Sequence, residues 1–160
     1  MATQTFYHIA LVTHITGLAM MAGTTLVDAV ITKQFWKQYA NDKPKGLAIN
    51  QAMSKFIMLF GIGILLLIIS GVAMMAITHG VFGEQLWFRI KFGLVIIIIL
   101  NGITFGRRQG IKLRKLLAEE TAGKDVDAKL LKVKAGINWF HIAQMVLFML
   151  VFVLSVFKFN

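Results

Sequence analysis

Four stretches of the chain are apolar along nearly every position, and the polar residues gather between them. The stretches run from about Phe6 to Ile31, Phe56 to Thr78, Leu86 to Phe105 and Ile137 to Phe157. Each supplies the roughly 20 apolar residues that cross about 30 Å of hydrocarbon at about 1.5 Å per residue. Runs such as Ile64–Ile69 and Val95–Leu100 lack the period-two alternation of a lipid-facing barrel strand, so the pattern predicts helices. The expected fold is an all-α integral membrane four-helix bundle with up-down connectivity, one domain over residues 1–160.

The polar segments differ sharply in charge. Lys33, Lys37, Lys43, Lys45 and Lys55 lie between the first two spans. Arg107, Arg108, Lys112, Arg114, Lys115, Lys124, Lys129, Lys132 and Lys134 lie between the third and fourth. The segment HGVFGEQLW between spans two and three has no Lys or Arg, the stretch before span one has none, and the C-terminus has only Lys158. The positive-inside rule then predicts two basic cytoplasmic tips, with both termini outside. RRQGIKLRKLLAEE should prolong span three as a helix, TAGK should break it, and Asp125 is the expected N-cap of the helix leading into span four. ANDKPKG is the expected break in the first tip.

Composition agrees with this reading. Of 160 residues, 58% are hydrophobic and 15% charged, more apolar surface than a soluble domain of this size can bury. The net charge of +10 sits beside the spans, where it faces anionic lipid rather than nucleic acid. The absence of cysteine excludes disulfides and thiolate metal sites. The first span has no basic leader and is too long for a signal-peptide core, so no cleavable signal is expected.

Polar groups within a bilayer are costly, so they mark candidate chemistry. His8 is shallow in span one, and His14 lies about 9 Å deeper. His79 ends span two at the outer surface, and Arg89 and Lys91 open span three there. Imidazoles from two helices at one level suit iron, copper or zinc. His8, His14 and His79 are therefore candidate metal ligands, with His8 and His79 the preferred axial pair and His14 the substitute. Gly17, Ala19, Ala22, Gly23, Gly71 and Ala73 can give a haem room, though ordinary helix packing is the favoured reading of such small residues. Arg89 and Lys91 can pair with propionates, and Lys91 can instead snorkel to the interface. Met20, Met21, Met74 and Met75 would join the imidazoles at a copper site, but flexible packing is their commoner role. At the inner end, Asp28 and His141, the latter flanked by Asn138 and Gln144, are candidates for a buried polar pair or a proton path. An inter-helix structural hydrogen bond is the favoured alternative.

The string WFRIKFGLVIIIILNGITFGRR, with Trp87 four residues before Lys91 and Gly106–Arg107 at its end, resembles the HemJ family of membrane protoporphyrinogen oxidases. Tyr7-His8 matches that family's shallow histidine after an aromatic residue, and SVFKFN its final helix end. The resemblance implies a helical bundle binding b-type haem, with His8 and Lys91 as functional positions and Lys91 in a catalytic role. The chain departs from the family at HITGLAMMAG and GTTLVDAV, at FGIG where the family has a proline, and in the extra His14 and His79. It is less closely similar to CopD-type copper-resistance domains. These features together lead to the expectation of a haem b redox protein of the bacterial inner membrane, with a quinone or porphyrin substrate and a homodimeric state among its implications. A copper protein and a cofactor-free scaffold acting through the basic tips are the alternatives.

Overall fold

In the computed structural model the described residues are 2–53 and 56–157, without the side chains of Ile57 and Phe82. Lys55, Lys158 and the last residues of SVFKFN lie outside them. Helix α1 spans Ala2–Asn41, α2 Lys43–Met53 and α3 Phe56–Ile77. A 3-10 turn, Val81–Glu84, leads into α4 at Leu86–Asn101. A π-helical turn, Gly102–Gly106, continues it into α5 at Arg107–Thr121, and α6 spans Asp127–Val156. No strand occurs among the described residues. Four helices are long and apolar enough to cross a membrane, as the sequence pattern predicts.

The chain divides into two compact units, one through Arg89 and one from Ile90. In the first, α1 folds back on α2 and α3. Asp42 is the pivot: its backbone N–H donates to the Gln38 carbonyl, and its side-chain Oδ1 accepts the Lys45 N–H at 3.2 Å, capping α2. Its other oxygen lies 2.9 Å from the Lys45 ammonium. The Lys45 contact, as side-chain hydrogen bond first and backbone N–H second, holds the Asp42 carboxyl below its ordinary pKa of 3.8. ANDKPKG thus breaks the helix as expected, but α1 remains helical to its edge, ten residues past Ile31.

The paired helices keep one antiparallel register. Gly46 meets Tyr39, Gly63 meets Met21, Gly17 meets Leu67, and His14 meets Ser70, each pair nearly equidistant from residue 42. Helices with equally apolar surroundings gain little by burial and associate by close backbone approach. Here, a Cβ built on Gly17 would lie 2.8 Å from the Leu67 backbone nitrogen and 2.9 Å from the Gly63 carbonyl. Met21, 1% exposed, packs over Gly63.

The second unit is also a hairpin. α5 ends in a Schellman motif: Gly123 takes φ +82°, its N–H donates to the Glu120 carbonyl, and the Lys124 N–H donates to the Glu119 carbonyl. Asp125 accepts the Asp127 N–H at 3.2 Å, one residue outside the cap position that Val126 occupies. Leu113, Leu116 and Leu117 of α5 and Leu130, Val133 and Ile137 of α6 are buried. Nearer the apolar part, Gly106 accommodates the Phe140 ring and Gly136 the Gln109 amide, since a Cβ on either would lie within 3 Å of them.

Candidate functional site

The hydroxyl of Ser70 holds the imidazole of His14. Ser70 Oγ donates its single proton to the Leu66 carbonyl, with the Leu67 carbonyl at 3.2 Å. His14 Nδ1 lies 3.1 Å from the same oxygen, so the ring nitrogen is the donor and the hydroxyl the acceptor. With the hydroxyl accepting, Nδ1 is the protonated ring nitrogen. An acceptor behind one ring nitrogen that orients the other is the arrangement of ligating histidines. Gly71 makes the space, because a Cβ there would touch His14 Cε1 at 3.4 Å.

Gly17 and Met21 share the seam with His14, and both are buried. Asp28, farther along α1, is half-buried. The seam itself is closed by the Gly17–Gly63 approach, so a planar macrocycle has no room between α1 and α3 at that level. A cofactor held by His14 would have to lie outside that seam.

The other expected ligands sit differently. His8 is exposed on α1, its ring 6.2 Å from that of Tyr7. His79 is exposed in the turn after α3, with φ +50°. Its N–H donates to the Ala76 carbonyl and that of Gly80 to the Met75 carbonyl, so His79 fills the left-handed position of a Schellman motif. Measured from the His14–Ser70 contact, His8 is about 9 Å and His79 about 13 Å farther toward the same end of the hairpin. Their levels thus agree to about one helical turn. His8 and His14, six residues apart, are on different faces of α1. Among the described residues no three His, Asp or Glu side chains cluster as a metal site.

Arg89 is exposed, and its Nε donates to the Gly83 carbonyl at 2.9 Å, pinning the 3-10 turn to the start of α4. Trp87 assists, donating from Nε1 to Gln85 at 2.6 Å. Lys91 is half-buried on α4, in the second unit. Among the methionines, Met21 packs on Gly63 and the Met75 methyl lies 3.6 Å from a Cβ built on Gly83, so both serve the seam and turn.

The second unit has its own buried polar group. Gln144, fully buried, donates from Nε2 to the Ile98 carbonyl at 3.0 Å and accepts the Asn101 amide at 2.8 Å. Both partners immediately precede the π turn, and wide turns of this kind disturb the regular i to i−4 ladder. His141, one turn before Gln144, is buried with its ring 5.3 Å from that of Phe140, whereas Asn138 is exposed. Gln144, one turn beyond His141, thus makes an inter-helix hydrogen bond with Asn101 of α4. Ser70 and Asn101 escaped the sequence reading, although each is an isolated polar residue in an apolar run. No family model, curated protein or solved structure matches this chain.

Proposed function

We propose that this chain is a multi-pass membrane protein that binds b-type haem and takes part in electron transfer in a bacterial inner membrane, with His14 ligating the iron. The supporting observation is the His14–Ser70 pair, in which a hydroxyl behind Nδ1 orients the imidazole in the manner of ligating histidines. When bound, the haem supplies one-electron chemistry. The protein's part is to orient His14 through Ser70, to clear space at Gly71, and to present Arg89 near the open end as a cation for a propionate. His8 and His79, at that same end, are the candidates for a second ligand. Lys91 stays a candidate catalytic group on the strength of its resemblance to the HemJ family. The copper alternative is less favoured, because Met21 and Met75 are already used in packing.

The decisive measurement is an absorption spectrum of the purified protein in detergent, before and after dithionite. A Soret band that shifts on reduction, and is lost in His14→Ala, supports the reading. A spectrum with no Soret band from cells supplied with haem precursor overturns it. A band unchanged in His14→Ala but lost in His8→Ala or His79→Ala returns the ligation to the shallow pair.

A further inference from the structure

A groove of about 700 Å³ runs between α1 and α2. Val30, Ile31, Lys33, Gln34 and Lys37 line it from α1, and Ile49 and Ala52 from α2. Its floor is aliphatic. Lys33 and Lys37, one helical turn apart and both exposed, stand on one rim, and no carboxylate lines the groove. Like charges at this spacing repel, so an anion between them is favoured. The lysine at the tip, Lys45, is neutralised by Asp42 at 2.9 Å.

The groove lies where the apolar span of α1 gives way to its basic end. Val30 and Ile31 close the hydrophobic run, and Lys33 and Lys37 extend about 3 to 9 Å beyond Ile31 along the axis. That is the depth at which lysine stems lie along acyl chains while their ammonium groups reach phosphates. We infer that this groove binds one anionic phospholipid of the leaflet at the basic end, with its phosphate between Lys33 and Lys37 and an acyl chain against Val30, Ile31, Ile49 and Ala52. Aliphatic floor, cationic rim and boundary depth are what distinguish a lipid from a soluble anion. The inference is independent of haem binding.

The test is the thermal stability of the full chain in dodecyl maltoside, titrated with phosphatidylglycerol, with phosphatidylcholine, and with glycerol 3-phosphate as a headgroup without chains. Phosphatidylglycerol should raise the melting temperature at concentrations where the other two do not. Lys33→Gln/Lys37→Gln should weaken that response roughly thirty-fold, since each lysine near an anionic surface contributes about five-fold. Ala52→Trp, which fills the groove and keeps the charges, should weaken it as well. Lys129→Gln/Lys132→Gln, at the other basic tip, should leave it intact. Equal responses to both phospholipids overturn the proposal, as does an equal response to glycerol 3-phosphate. So does a response that survives in Lys33→Gln/Lys37→Gln, or one lost only when Lys129 and Lys132 are changed.

Discussion

Gln144 of α6 donates a hydrogen bond to the backbone carbonyl of Ile98 on α4, at 3.0 Å and wholly buried. The same amide accepts from Asn101, so one side chain supports both residues before the π turn. Gln144→Leu keeps the volume but strips that support. In an apolar surrounding it should cost about 1–2 kcal/mol, the upper end for an inter-helix bond in a membrane. Unfolding in mixed micelles should show this loss, and Asn101→Leu in a Gln144→Leu background should add much less than it does alone.

The Gly17–Gly63 contact predicts a contrast between glycines of one helix. Gly17→Ala places a methyl 2.8 Å from the Leu67 nitrogen and should destabilise the first hairpin by about 1–3 kcal/mol. Gly23→Ala meets nothing within 4 Å and should be neutral or stabilising by up to about 1 kcal/mol. Equal effects in the two variants would contradict the close approach.

His79 carries a left-handed backbone that glycine adopts without penalty. As a helix cap alone, it should be improved by His79→Gly, with a gain of about 1 kcal/mol in stability. If His79 also ligates, the same variant gains stability in the cofactor-free protein and changes the Soret band of the loaded one. The two readouts separate its structural from its functional part.

The first tip should respond to pH at both extremes. Asp42 is held below its ordinary value of 3.8, so its contribution is full above that pH and is lost as the pH falls through the folded-state value. Lys45 is raised above 10.5 by the Asp42 hydrogen bond, so its contribution is full below that pH and fades as the pH rises past the folded-state value. Asp42→Asn keeps a capping oxygen and removes the charge. The stability difference between wild type and variant should therefore shrink on acidification below about pH 4, as measured by proteolysis near the tip. An unchanged difference at pH 2 would contradict the ion pair.

The apolar spans and both breaks were legible because each follows from local composition. Leu86 begins a helix where the pattern places it, and Gly123 ends one inside TAGK. Helix length beyond the bilayer was less legible: α1 runs to Asn41 because QFWKQYA has no breaker, and its Phe35 and Tyr39 bury against the rest of the unit. The π turn was invisible, since GITFG reads as any small-residue stretch. The Ser70 partnership of His14 was also hidden, because register between helices is set by Gly17 and Gly63 together, and no single-helix periodicity encodes it. Of the candidate site, the sequence identified the imidazoles and their shared end, but not which of them is held by a hydroxyl on the facing helix.

The extra residue accommodated by the wide turn at Gly102–Gly106 has a geometric consequence for everything after it. In an α-helix each residue advances the azimuth by about 100°, so the same residues wound as a regular α-helix here would swing α5 about its own axis by more than a quarter circle. Lys112 and Lys115 would then stand where Leu113 and Leu116 are buried, with Leu116 in the place of Leu117. The turn thus sets the phase of the basic arm against the apolar helix that carries it.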